Sequence, residues 1–313
     1  MSGFKVLNPG MLSLLQDGGR FGQHRIGLST GGPLDRLAMS WANRLVHNES
    51  QLTAIEASFG GLKLESGVNT LLAVTGGDQP LAINGVEKAT WRSHHIEAGD
   101  IIELGFAKQF CRSYLAVHGG FQIEPSFGST ATVVREGIGG ISGGKLADGD
   151  SLPARGTREH HCLVLNDPHR APYQTDIRVR VLPGYQVHQF PRLEQRRFFA
   201  GEYQVTERAD RMGYRLEGPA IACDIKGILS EGICMGAIQI PADGQPIVLL
   251  QDRQTIGGYP KIGSALSLDT GRLAQLMPGA RVRFEPITPH AADNLFHLAH
   301  SMHQRMRLDP VND

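Results

Sequence analysis

Val248-Leu-Leu-Gln-Asp252-Arg-Gln254-Thr-Ile-Gly257-Gly258-Tyr259-Pro260-Lys261-Ile-Gly263 decides how this chain is read. Val248, Leu249 and Leu250 form an apolar run that ends abruptly, as a buried strand does. Asp252, Arg253 and Gln254 follow, then a Gly-Gly-Tyr-Pro turn and Lys261. A strand that delivers acid, base and amide groups onto a glycine turn predicts a site at the end of a β-scaffold. The same spacing also fits a polar hairpin connection. An echo lies near the start: Leu14-Leu15-Gln16-Asp17-Gly18-Gly19-Arg20 repeats the Leu-Leu-Gln-Asp of Leu249 to Asp252. Both copies sit at an apolar-to-glycine transition, which predicts two related halves.

The 313 residues are enough for two domains with cores of their own. The 31 basic and 31 acidic residues cancel, and no basic run breaks the balance. Such a chain has no electrostatic footprint for nucleic acid or an anionic membrane, so its expected partners are small molecules and other proteins. Glycine is abundant at 39 residues, scattered singly and in pairs, which predicts many tight turns and a mainly β fold. Cys111, Cys162, Cys223 and Cys234 form no C-x-x-C pair, against a zinc ribbon or a thioredoxin-like motif. No apolar run reaches the roughly 18 residues of a membrane span, and Met1 to Val6 lacks a signal-peptide core. A cytoplasmic protein with reduced thiols is expected.

Short strand-like runs dominate: Phe4 to Leu7, Met11 to Leu15, Leu62 to Leu64, Thr70 to Val74, Leu81 to Ile83, Thr90 to His94, Ile101 to Leu104 and Arg112 to Val117. Asn84-Gly85 is a strong hairpin signal between two of them. Leu37, Ala38, Trp41, Ala42 and Leu45 have helical spacing after Pro33. The pattern is antiparallel β, not alternating β and α. The expected division is a β-domain over 1–155, a polar linker over 156–176, a second β-domain over 177–287, and a helix with tail over 288–313. Helical patches are expected near Phe190 to Phe199, Arg272 to Met277 and Ala291 to Met306.

Several motifs invite a chemical reading. Gly139-Gly-Ile-Ser-Gly-Gly144-Lys145 fits a phosphate-binding loop for seven positions, but Leu146 stands where a magnesium-holding Ser or Thr belongs, and no helix pattern follows. Gly27-Leu28-Ser29-Thr30-Gly31 matches a nucleophile elbow, yet the rest of the chain supplies no parallel sheet to carry one. His290, His297, His300 and His303 crowd the last helical patch without a carboxylate to complete a metal set. Asp210-Arg211-Met212-Gly213-Tyr214-Arg215 pairs a carboxylate with two guanidiniums, which bind carboxylate or phosphate in a forked way. It fits a surface ion-pair cluster equally well.

Four ordered motifs carry a family resemblance: Gln16-Asp17-Gly18-Gly19-Arg20, Tyr114-Leu115-Ala116-Val117-x-Gly119-Gly120, Asp210-Arg211-Met212-Gly213-Tyr214-Arg215-Leu216-x-Gly218, and Asp252-x-Gln254-Thr255-x-Gly257-Gly258-Tyr259-Pro260. With them the chain resembles the allophanate hydrolase subunit 2, or biotin-dependent carboxyltransferase, family from about Phe4 to Phe284. Within that family a stand-alone chain of this length is similar to the C-type subunits of bacterial ATP-dependent 5-oxoprolinases. The resemblance implies two cyclophilin-like β-barrel domains, a few short helices, a B-type partner of cyclophilin fold and a third oxoprolinase subunit. Two loops depart from the family pattern. Gly143-Gly144-Lys145-Leu146 stands for Gly-Arg-x-Leu, and Gly128-Ser129-Thr130-Ala131-Thr132 for Gly-Ser-Arg-Ser-Thr.

The activity this implies is ATP-dependent opening of 5-oxo-L-proline to L-glutamate, with ATP and magnesium held here or with a partner. By residue type, Arg211 and Lys261 are expected to hold negative charge. Asp252 or Asp210 would orient a nucleophile or metal, and Gln254 and Tyr259 would hydrogen-bond. Asp17, Arg20, Gly257 and Gly258 are expected to line a groove with Asp210 and Asp252. The rival readings are carboxyl transfer from carboxybiotin on another protein, as in urea amidolyase-type enzymes, and a non-enzymatic regulator that binds a kinase-inhibitor partner.

Overall fold

A computed structural model describes residues 3–157, 160–170, 172–225 and 227–311. The chain is mainly β and divides into two compact units. One takes Met1–Gly22, Thr30–Tyr173 and Arg307–Asp313; the other takes Gln23–Ser29 and Gln174–Met306. No helix among the described residues is long and apolar enough to cross a membrane.

The first unit packs two sheets on one core. The six-stranded sheet runs in the order Ser151–Pro153, Gly3–Pro9, Leu62–Ser66, Ile101–Leu104, Leu81–Ile83, Val86–Lys88. The five-stranded sheet runs Leu12–Gln16, Ala54–Ser58, Arg112–Val117, Thr70–Gly76, Ser93–Ile96. Strand Leu62–Ser66 alternates, with Leu62, Leu64 and Ser66 buried while Lys63 and Glu65 face outward. Arg112–Val117 is buried at every position because the core lies on one face and the helix Arg36–Leu45 packs near it. That helix presents Ala38, Met39, Trp41, Ala42 and Leu45 inward; of the predicted stripe Leu37 faces out instead, and Met39 takes a buried place. Its N-terminus is capped by Asp35, whose carboxylate accepts from the Ala38 N–H at 3.1 Å. Phe4, Val6, Leu62, Leu64 and Leu81 from one sheet meet Leu15, Ile55, Leu72, Val74 and Leu115 from the other. Each such side chain contributes roughly 1.5–3 kcal/mol by leaving water. The Asn84-Gly85 turn closes as expected, with Ile83 opposite Val86 and positive φ at both turn residues.

The second unit is a closed seven-stranded barrel: Asp176–Pro183, Lys261–Ala265, Ala237–Gln239, Ile247–Leu249, Gly213–Glu217, Glu202–Ala209, Arg281–Pro286. The ring closes through the parallel pairing of Asp176–Pro183 with Arg281–Pro286. The helix Arg192–Ala200 covers that seam, where Phe198 stacks on Phe284 at 4.5 Å between ring centroids.

The second helix of this unit is Ser267–Ala274, several residues earlier than the sequence pattern suggests. Gly271 argues locally against a helix there. Buried Asp269 anchors it by accepting from Arg180 at 2.8 and 2.6 Å, so tertiary contacts override propensity. The last helix is Pro289–Arg305, capped by Thr288. The stretch expected to be a linker contains a short strand, Leu163–Val164, paired with Asp309–Pro310 from the chain's end. Its buried Leu163 and Leu165 are the apolar residues hidden in an otherwise polar segment.

Candidate functional site

The strand Ile247–Leu249 ends against the hairpin that joins Glu202–Ala209 to Gly213–Glu217. The Leu250 N–H donates to the Met212 carbonyl and the Asp252 N–H to the Arg211 carbonyl, each at 2.9 Å. This ladder brings two of the predicted motifs together. Arg211 Nε and Nη2 donate to Asp252 Oδ2 and Oδ1 at 2.8 and 2.9 Å, and both side chains are buried. A forked pair of this kind fixes the carboxylate's orientation and charge. Asp210, at the exposed tip, accepts from the N–H groups of Met212 and Gly213 and so shapes its own turn. Arg253 is buried as well and donates to the carbonyls of Ile233 and Leu250. Burial pushes its guanidinium below its ordinary value, against the pull of Cys234 and Asp252.

A second cluster forms where the chain returns to the barrel. Ile256–Gly257 pairs with Glu231–Gly232, a ribbon of two residue pairs. Lys261 makes an ion pair with Glu231, and its Nζ lies 3.5 Å from the Gly232 carbonyl. Gln186 bridges the same pair, donating to Glu231 Oε1 at 2.9 Å and accepting from the Lys261 N–H at 3.4 Å. The Lys261 ammonium, and next the Gln186 amide, hold the Glu231 carboxyl below its ordinary value. Gln239 stands opposite Lys261 in the barrel ladder, beside a bulge at Ile262. Its side chain is 2% exposed, and Nε2 has no hydrogen-bond partner. Gly257 passes close by: a Cβ there would lie 2.7 Å from Gln239 Nε2 and 2.3 Å from Ile233 Cδ1. Gly258 accepts through its carbonyl from the Ile228 N–H at 2.8 Å, Gln254 is half-buried, and Tyr259 is exposed.

Asp17 and Arg20 have structural partners in the first unit. Asp17 accepts from Ser129 Oγ at 2.5 Å and from the N–H groups of Thr130 and Gly19. Arg20, 1% exposed, donates to the carbonyls of Ser126, Ser129 and Ala131. The echo in sequence is thus an echo in role. In each half a buried Gln and a buried Arg stand at the end of the strand, and the Arg ties loop carbonyls together. The Gly139–Gly144 loop is a run of turns with no helix after it, and Lys145 is exposed, so it does not build a phosphate-binding loop. It lines a concavity of about 470 Å³ with Ser126 and Phe127.

Ser29 is 1% exposed and donates to the Arg253 carbonyl at 2.8 Å, a buried structural serine rather than an elbow nucleophile. Among the described residues no group of His, Cys, Asp and Glu is arranged to hold a metal ion.

The sequence pointed to Asp252, Lys261 and the glycines but not to Gln186, Glu231 or Gln239. Gln239 sits between Ile238 and Ile240 and reads as one polar position in a strand; a polar residue at a buried-strand position was the available signal.

The carboxyltransferase domain, subdomain A and B, matches residues 26–286. The chain is 36% identical to the C-type subunit of 5-oxoprolinase from Escherichia coli over 90% of both chains. It is 34% identical to the corresponding 5-oxoprolinase subunit of Haemophilus influenzae over 93% of both. The crystal structure of the K. lactis urea amidolyase superposes with a TM-score of 0.88 at 25% identity, covering 99% of this chain but only 20% of that longer one. The matched span contains the Arg211–Asp252 pair and the Gly257–Lys261 cluster, and the chain belongs to the family of carboxyltransferase domains with subdomains A and B.

Proposed function

We propose that this chain is one subunit of an ATP-dependent 5-oxoprolinase, opening 5-oxo-L-proline to L-glutamate together with partner subunits. The observation that carries this reading is the 36% identity to a 5-oxoprolinase subunit over 90% of each chain, against 26% identity to a segment of the longer urea amidolyase. A lactam carbonyl is a poor electrophile. Transfer of a phosphoryl group from ATP to its oxygen, releasing ADP, makes it a better one. Water adds at that carbon, the ring C–N bond breaks as the nitrogen takes a proton, and a second water hydrolyses the resulting acyl phosphate to the carboxylate and inorganic phosphate. Phosphoryl transfer depends mainly on positioning and charge neutralisation.

In this proposal Lys261, held in place by Glu231 and Gln186, supplies positive charge at the reacting carbonyl. Arg211 and Asp252 keep the strand end rigid behind it, and Gln254 and Tyr259 supply hydrogen bonds from the same loop. The glycine loop does not fit a nucleotide. In the proposed complex ATP and magnesium therefore sit largely with the partners, a B-type subunit of related fold and a third subunit.

The test is 5-oxoproline-dependent ATP hydrolysis and glutamate formation by the purified chain, alone and mixed with its candidate partners. Activity confined to the mixture, and lost in Lys261→Ala, is the expected result. Inactivity of every combination of folded, associated subunits overturns it. Carboxyl transfer from carboxybiotin on another protein is the second reading, favoured by the near-complete superposition on part of urea amidolyase. Biotin-dependent carboxylation by the same mixture distinguishes it.

A further inference from the structure

We infer that Gln239 is the residue that recognises the ligand, pairing its carboxamide edge-on with a cis-amide locked in a ring. The inference deepens the proposed function and rests on it for the identity of the ring. A lactam holds its N–H and C=O on one edge, and the ureido ring of biotin does the same. A primary carboxamide carries one donor and one acceptor at the same spacing, so the two edges pair through two parallel hydrogen bonds. The match holds for either orientation of the amide plane.

Three observations point to Gln239. First, Nε2 is buried without a partner in a barrel where polar side chains of similar burial, such as Arg253 and Asp269, are bonded. Buried polar groups are nearly always satisfied, and an exception calls for a ligand or a function. Second, Gly257 passes close to it, and any side chain there would strike both Gln239 Nε2 and Ile233 Cδ1. Third, Gly257 belongs to a ribbon of only two residue pairs, Glu231–Gly232 with Ile256–Gly257. Isolated two-stranded ribbons are marginal and open readily. Lifting the Ile256–Gly257 strand off Glu231–Gly232 exposes the Gln239 amide beside Lys261, its neighbour in the ladder, and leaves Glu231 on Lys261. A ring held by Gln239 then presents its carbonyl to a fixed cation.

The experiment uses the full chain with its candidate partners and two probes, 5-oxo-L-proline and biotin. Binding is followed by the glutamine side-chain amide resonances and by calorimetry, for wild type, Gln239→Leu and Gln239→Glu. One glutamine amide pair is expected to shift on binding and to be missing from both variants. Affinity should fall about tenfold or more, the equivalent of roughly 1.4 kcal/mol. The melting temperature of Gln239→Leu should not fall, because an apolar group of similar size replaces a donor that has no partner. Which probe binds separates a lactam ligand from a ureide.

Unchanged affinity in a folded Gln239→Leu chain overturns the inference, as does binding of neither probe to wild type. The two claims can fail separately. Oxoproline turnover with an unaltered kcat/KM in Gln239→Leu removes the inference and keeps the proposed function. Biotin binding that depends on Gln239, without oxoproline turnover, does the reverse.

Discussion

Arg211 and Asp252 face one another fork to fork at 2.8 and 2.9 Å, buried where the strand Ile247–Leu249 leaves the barrel. Removing one partner strands the other charge away from water, at a cost of about 3–5 kcal/mol. Arg211→Met and Asp252→Leu should each be strongly destabilising, and the double variant should recover much of the loss. Urea denaturation of the three variants measures this as a double-mutant cycle. Equal additive losses would show that the pair is not coupled.

Gly139 tests the glycine loop. Its φ is +80°, and a Cβ there would lie 1.9 Å from the Ala131 carbonyl oxygen, a backbone atom that cannot step aside. Gly149 has a similar φ of +83° but nothing within 4 Å. Gly149→Ala should cost about 1–2 kcal/mol, the penalty of left-handed backbone alone. Gly139→Ala should cost clearly more, or prevent the first unit from folding. Denaturation midpoints of the two variants decide, and similar midpoints would contradict the packing described.

The fold was largely legible because its signals are local. The Asn84-Gly85 hairpin, the stripe at Ala38, Trp41, Ala42 and Leu45, and the polar ends of the two Leu-Leu-Gln-Asp copies need only nearby residues. The helix Ser267–Ala274 was misplaced because its anchor, Arg180, lies 89 residues away from Asp269. The candidate site was half legible. Residue types singled out Asp252 and Lys261, but not their partners. Glu231 belongs to Lys261 through a ribbon pairing, and the orphaned amide of Gln239 depends on a bulge and on Gly257 from another segment.

Tyr114 anchors the first helix and gives the first unit an alkaline limit. Its hydroxyl donates to Glu56 Oε2 at 2.8 Å and accepts from the Asp35 N–H at 2.7 Å. Burial, and then the nearby Glu56 carboxylate, push the phenol well above its ordinary value of 10.0. A group raised on folding stabilises fully below the unfolded pKa and loses that contribution as pH rises toward the folded one. Stability should therefore decline above about pH 10, the unfolded tyrosine value. Tyr114→Phe should cost about 1–3 kcal/mol at neutral pH by leaving buried partners unsatisfied. It should also flatten the alkaline decline, and an equally steep decline in the variant would assign it to other groups.

Glu231 reports on whether Lys261 is held as described. Its carboxyl lies below the ordinary value of 4.5, first because Lys261 hydrogen-bonds to it and next because Gln186 does. For a carboxyl lowered on folding, the stabilisation is present above the unfolded pKa and fades as pH falls through the folded one. The pair is partly exposed, so the direction of the effect is the testable quantity. In Lys261→Met the Glu231 carboxyl should rise toward its ordinary value, and in Gln186→Leu it should rise less. Side-chain carboxyl carbon shifts, followed from neutral to acid pH in each variant, measure this one residue. If Lys261→Met left the titration of Glu231 in place, Lys261 would not be fixed by Glu231. Its part in the proposed chemistry would then lose its structural basis.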